Sequence, residues 1–402
     1  MNKILFDGSL LSQCELMGNN RAGLVRVAEE LTNEIIKLPT FDSYFANFIY
    51  MVNYHASLRK FFERRYPELL HKIISKKPLP LFEVLKFKAL WYKHPELLFL
   101  NVNNGNLNRY DLFHSFYYPF RKEIKRSISK KSITYYDIIP LVRSGYPPYI
   151  VNLMQRILED IENNYAISIS EYSKNDLLNY SKSVKEENVF VAPLAASKEV
   201  FFRNSDIDRW KIAKRKYDLP DRYFFCIASS DPRKNIPHVI NSFDKFIREQ
   251  KSKDVFLLLA GNFNRVKENI QNLDLSKDTI NQIVSPLQYI EEADLNVIYS
   301  NALGFIYMSE YEGFGLPVLE AMQCGTPTIS SNRSSMPEVV GNAGILLDCK
   351  DEDALAHSIN LLNESSSVRD EYSKAGLQRA KEFSWERTAN EYAKIFNKII
   401  NE

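Results

Sequence analysis

Residues 309–327 read SEYEGFGLPVLEAMQCGTP, and the rest of the chain is best understood outward from them. The apolar run LGFIYMS (303–309) leads in as a buried strand. Pro317 suits the first turn of a helix and Gly325 its end. Between strand and helix, Gly313 and Gly315 let the backbone approach a ligand closely. Free amides at the helix start, reinforced by the helix dipole, favour a diphosphate or a sugar oxygen. Glu312 and Glu320 bracket this turn, with Glu320 one turn inside the helix. Two glutamates so spaced on their own would describe a capped surface helix. Set in EGFGLPxxEA behind an apolar strand, they describe a binding turn.

A second signal lies upstream. The run YFFCIASS (223–230) leads directly into DPRKN (231–235). Ligands of open α/β sheets bind at the carboxyl ends of the strands, which puts Arg233 and Lys234 where phosphates would sit. Arginine offers a planar fork and lysine a mobile point charge, so the two together neutralise a departing diphosphate.

The same alternation extends through the chain. NKILF opens a β-loop-α unit whose helix spans about 23–37, and DLFHSF, SITYYDII, YAISIS, VFVAP, VFLLLAG and TPTISS read as further buried strands between helical stretches. This predicts α/β architecture with parallel sheets. Ser173 to Asp176 resembles a capping box, and Ser384 precedes a final helix carrying Trp385, Ala389, Tyr392, Phe396 and Ile400 on one face. A polar stretch near 196–220 marks a junction. The predicted division is 1–203, 204–383, and a terminal helix 384–402 packing back on the first domain.

At 402 residues, with 45% hydrophobic and 25% charged content, two domains are expected. A net charge of +2 does not point to nucleic acid. Four cysteines without a CxxC pair fit a reducing, cytosolic setting. Neither a signal peptide nor an apolar run of about 18 residues is visible. The segment at about 41–100 is aromatic and basic and is expected to form an insert in the first domain. Two readings of it stand: helices docking on an anionic membrane surface, or core helices with a solvated basic face. RKEIKRSISKK (121–131) either extends that surface or is a solvated loop.

From Tyr223 onward the chain resembles the retaining GT-B glycosyltransferases of family 4, for which two glutamates with seven residues between them are a specific marker. The resemblance implies two Rossmann-like domains with parallel sheets facing across a cleft, and a nucleotide-sugar donor held by the second. It implies that Glu312 contacts donor-sugar hydroxyls, Glu320 the ribose, and Arg233 and Lys234 the diphosphate, assisted by Gly313 and the amides of Phe314, Gly315 and Leu316. In SPLQYIEEADLNVIYSNA (285–302), Gln288 and Tyr289 fall at the nucleobase position, with Gln288 where a glycine is common. In the first half, NRAGLVRVAEEL (20–31), DLFHSFYYP (111–119) and YYDIIPL (135–141) align more loosely. Gly23 would approach the donor phosphate, His114 would be the active-site histidine, and Asp137 would bind acceptor, although Tyr136 replaces the family's histidine. Ser170, Glu171 and Ser173 match a family pattern or simply cap a helix.

The run GTPTISSNRSSMPEVVGNAGILLD resembles bacterial hexosyl, often mannosyl, transferases of surface polysaccharide assembly. GDP-mannose is the first expectation for the donor and a UDP-hexose or UDP-N-acetylhexosamine the second, with a glycan or lipid-linked acceptor. Asp206/Asp208 and Asp351/Asp353 have Asp-x-Asp spacing but follow no strand, so metal-independent chemistry without a cofactor is expected, in the cytoplasm or at the inner membrane face. Two rivals are a noncatalytic GT-B partner subunit and a sugar-nucleotide epimerase.

Overall fold

The computed structural model describes residues 1–17, 23–47, 52–74, 107–229, 231–261, 270–285 and 290–402. These form two compact units, Met1–Pro193 with Trp385–Glu402, and Leu194–Ser384. The sequence reading sets the junction at 203/204. Residues from 194 pack with the second unit: Gln323 Nε2 donates to Phe201 O at 2.6 Å, and Asn204 N to Ser300 Oγ at 2.9 Å.

The first unit holds seven strands: β1 (Asn2–Asp7), β2 (Phe41–Ala46), β3 (Ile73–Ile74), β4 (Leu112–Ser115), β5 (Lys131–Tyr135), β6 (Tyr165–Ser168) and β7 (Val189–Val191). Their order is β3-β2-β1-β4-β5-β6-β7, all parallel. β4 and β5 are buried throughout, as expected of runs covered by helices on both faces. Residues 41–46 and 73–74, read as part of an insert, are strands of this sheet, with the helix Val52–Arg65 between them. Residues 48–51 and 75–100 of that segment lie outside the described residues.

The terminal helix Trp385–Asn401 belongs to this unit. Trp385, Ala389, Tyr392 and Phe396 recur at helical spacing and are all buried. Phe396 meets Phe6 edge-on at 5.9 Å, Tyr392 Oη lies 2.8 Å from Thr134 Oγ1, and Lys130 Nζ donates to the last carbonyls, Ile399 O and Ile400 O, at 2.7 and 2.8 Å. A cation there offsets the negative end of the helix dipole. The cluster at 121–131 is therefore neither a uniform basic surface nor a solvated loop. Lys131 is buried against Ile128 O and Ser129 O, and Lys125 pairs with Asp160. The cap at Glu171–Tyr180 falls three residues before the expected box: Ser170 Oγ accepts from Ser173 N at 2.9 Å, while Ser173 Oγ donates to Tyr136 O.

The second unit holds β8 (Tyr223–Ile227), β9 (Phe256–Ala260), β10 (Ile283–Val284), β11 (Gly304–Tyr307), β12 (Thr328–Ser331) and β13 (Ile345–Leu347), parallel in the order β10-β9-β8-β11-β12-β13. The helix Ile236–Gln250 buries Val239, Ile240, Phe243, Phe246 and Ile247 against it. Strand order reverses between β8 and β11, which are direct neighbours. The turn after each therefore opens at the switch point where ligands of such sheets bind. Among the described residues, no helix is long and apolar enough to cross a membrane.

His114 lies on β4 in register with Phe6 of β1 and is fully buried. Its Nδ1 is 2.9 Å from Ser132 Oγ and its Nε2 3.1 Å from Thr134 Oγ1, with Phe116, Tyr392 and Phe396 around the ring. Burial pulls its pKa down from 6.5 to about 3. With both nitrogens occupied and no exposed face, this geometry favours a packed histidine over the expected active-site one. An unfolded chain takes up this proton near pH 6.5 and the folded chain does not, so stability falls as pH drops from about 6.5 toward 3. Urea unfolding of wild type at pH 7 and pH 5 should show a loss that His114→Asn lacks, by up to about 1.4 kcal/mol per pH unit. Equal slopes would mean that folded His114 takes up the proton.

Candidate active site

The turn after β8 begins with Asp231, whose carboxylate accepts from Arg233 N and pairs with Arg233 Nε at 2.8 Å. This locks the short 3₁₀ turn Pro232–Lys234, and Asn235 closes it at φ 56°, a left-handed conformation that asparagine tolerates. Glu310 N donates to Arg233 O, with Ser309 Oγ 3.1 Å from the same oxygen, tying the turn to the segment after β11.

Glu312 lies between the two turns and is only 9% exposed. Its Oε1 receives Arg233 Nη1 at 2.7 Å, Lys234 Nζ at 2.5 Å, Tyr307 Oη at 2.7 Å and Ser309 Oγ at 2.8 Å. Lys234 also donates to Tyr307 Oη and stands 4.7 Å from the centre of that ring. Burial alone would raise the Glu312 pKa. Lys234 and Arg233 outweigh it and hold the carboxyl at about 2. Burial pulls the Lys234 ammonium down, against Glu312, whereas Arg233 is raised because Glu312 outweighs its burial. Among the described residues, no partner meets Glu312 Oε2 or Arg233 Nη2.

Beyond Glu312 the chain turns into the helix Leu316–Gln323 with Pro317 in its first turn. Gly315 has φ +117°, a conformation that favours glycine, and the Met336 methyl packs where a Cβ would lie. Gly325, just past the helix, has φ +73°. Among the described residues, no acceptor meets the amides of Phe314, Gly315 and Leu316. Phe314 is buried edge-on against Phe383 at 5.8 Å, and Glu320 is buried on the helix.

The structure thus brings together Arg233, Lys234, Glu312, Gly313, Phe314, Gly315, Leu316 and Glu320 in the second unit. Gly23, in the first unit, opens the helix Gly23–Ile35 and is exposed. Asp137, also there, accepts from Ile139 N at 2.9 Å as a local cap. Gln288 and Tyr289 lie outside the described residues. Asp206 and Asp351 each cap a helix, Asp208 pairs with Lys211, and Asp353 pairs with Lys245. Sequence reasoning missed Tyr307 and Ser309. Strand alternation was the available signal, since residues two apart share a face and these two end up under Glu312.

Two parallel-sheet Rossmann-like units, the second with a cationic turn and a glycine-opened helix at its switch point, make up the GT-B architecture of glycosyltransferases. Residues 208–379 match the family Glycosyl transferases group 1. The chain is 29% identical over 276 residues to the O-antigen chain mannosyltransferase B of Escherichia coli, covering 68% of this chain and 70% of that protein. It is 27% identical over 270 residues to the serotype-specific mannosyltransferase WbdA of Escherichia coli, covering 66% of this chain but only 33% of that one. In fold it is similar to Anabaena Alr3699/HepE, solved in complex with UDP and glucose, with a TM-score of 0.66, 14% identity and coverage of 99% and 100%.

Removing Glu312 leaves the part-buried Lys234 without its counter-charge and the part-buried Arg233 with Asp231 alone. Glu312→Ala should cost about 3–5 kcal/mol of folding free energy, read by urea unfolding. A loss below about 1 kcal/mol would mean that water reaches Arg233 and Lys234 freely.

Proposed function

We propose that this chain is a retaining, metal-independent hexosyltransferase, moving mannose from GDP-mannose to a glycan or lipid-linked acceptor of surface polysaccharide or glycoconjugate synthesis. The observation that carries the reading is the node at Glu312. One carboxylate oxygen gathers Arg233 and Lys234 beside three amides that meet no acceptor among the described residues, where Glu312 Oε2 and Arg233 Nη2 also meet no partner. Guanidinium, ammonium and amides suit a diphosphate whose charge grows as it leaves. Glu312 Oε2, held ionised, suits a sugar hydroxyl.

In this reading the bond from the anomeric carbon to the phosphate oxygen breaks through an oxocarbenium-like state, and the acceptor oxygen bonds that carbon on the same face. The acceptor proton passes to the departing phosphate oxygen. Glu312 positions the sugar, Glu320 contacts the ribose, and Gln288 and Tyr289 face the base. In the first unit, Gly23 approaches the donor phosphate and Asp137 the acceptor. The similarity to two mannosyltransferases supports the choice of sugar. The alternative donor, a UDP-hexose or UDP-N-acetylhexosamine, is supported by the UDP and glucose bound to HepE. The reaction is assigned to the cytoplasm, at the inner face of the membrane when the acceptor is lipid-linked.

Thermal melting with GDP, UDP, ADP and their sugar conjugates, without added metal, tests this reading through linkage. The expected result is a selective rise with GDP and GDP-mannose, and a fall in turnover of at least about 100-fold in Glu312→Gln. Preference for UDP would select the second donor. No shift with any nucleotide would favour a noncatalytic subunit.

A further inference from the structure

Ser335 stands at the start of the helix Met336–Val340, where a serine ordinarily accepts a hydrogen bond from its own helix. It makes no such cap. Its hydroxyl, fully buried, instead lies 3.0 Å from Glu312 O and 2.6 Å from Phe314 O. We propose that Ser335 is a positioning residue that aims the backbone amide of Gly315 at the diphosphate of the donor, an inference that rests on the donor reading above.

In a trans peptide the carbonyl and the following N–H point in opposite directions. Drawing back the carbonyls of Glu312 and Phe314 therefore turns the amides of Gly313 and Gly315 to the side away from Ser335. A hydroxyl has a single proton, so Ser335 shares it between the two carbonyls. Something must fix these planes, because peptides flanking glycine reorient at little cost.

The neighbours of Ser335 act on the same turn. Ser334 is held at φ +51°, a conformation that residues with a side chain seldom adopt, and its Oγ accepts from Glu312 N at 3.0 Å. Met336 occupies the space beside Gly315. Three consecutive side chains thus restrain the turn from one side, one taking an amide, one drawing back two carbonyls and one packing. Strain retained at Ser334 is the pattern seen where surrounding structure over-determines a working loop.

The test measures dissociation constants of GDP, GMP, UDP and UMP for the full chain by calorimetry. Wild type, Ser335→Ala and Ser335→Thr are compared, with the ligand-free melting temperature of each. If Ser335 presents the Gly315 amide, Ser335→Ala loses about tenfold in affinity for the diphosphate. The monophosphate is unchanged within about twofold, and Ser335→Thr restores the ratio. Should Ser335→Ala fail to fold, Ser335→Cys, a weaker donor of similar size, reports the same ratio. Parallel losses for monophosphate and diphosphate, or no loss, overturn the inference while leaving the donor reading intact. Wild type binding neither diphosphate overturns the donor reading, and the inference with it.

Discussion

One oxygen atom, Glu312 Oε1, takes hydrogen bonds from a guanidinium, an ammonium, a phenol and a serine hydroxyl. A cation drawn out of water unpaired costs free energy, so Lys234 depends on Glu312 for its place, and Arg233 on Glu312 and Asp231 together. The reverse also holds, since burial alone would push the carboxyl toward its neutral form. A pair of this kind contributes little net stability compared with apolar side chains of the same volume. What it contributes is arrangement. The turn after β8, the end of β11 and the loop after β12 have one low-energy way to fit together.

That arrangement depends on topology more than on local sequence. Arg233 and Glu312 are far apart along the chain, yet β8 and β11 are hydrogen-bonded neighbours, with Gly304 opposite Phe224. The strand order therefore delivers two short motifs to one place, and the side chains need only complete the contact. The apolar strands fix position and the polar residues at their carboxyl ends carry the chemistry. This division is why open α/β sheets serve so many binding functions.

The parts legible in the sequence were those with a local physical signature. Arg233 and Lys234 follow an apolar run, Pro317 and Gly325 punctuate a helix, and Gly315 stands where the backbone favours glycine. Alternation of apolar runs was enough for two parallel sheets. Tyr307 and Ser309 had strand alternation as their one signal, and Ser334 and Ser335, in the loop after β12, had none, because hydroxyls beyond buried strands look alike until the strands are paired. His114 was ambiguous for a related reason. A histidine after a strand-like DLF could face a ligand or the sheet, and only the packing of Phe6, Tyr392 and Phe396 around it distinguishes the two. Ser170 rather than Ser173 caps its helix because the strand ends earlier than the polar run suggests.

The terminal helix has a consequence for the order of synthesis. It is made after the whole of Leu194–Ser384, yet it belongs to the unit whose strands all precede that stretch. On the ribosome, where compact units generally fold one by one, the second unit has its full sequence while the first still lacks Trp385–Asn401. Until then the nascent chain has no Phe396 to cover Phe6 and no Tyr392 to meet Thr134. Met1–Pro193 is thus left with an uncovered aromatic face throughout the making of Leu194–Ser384.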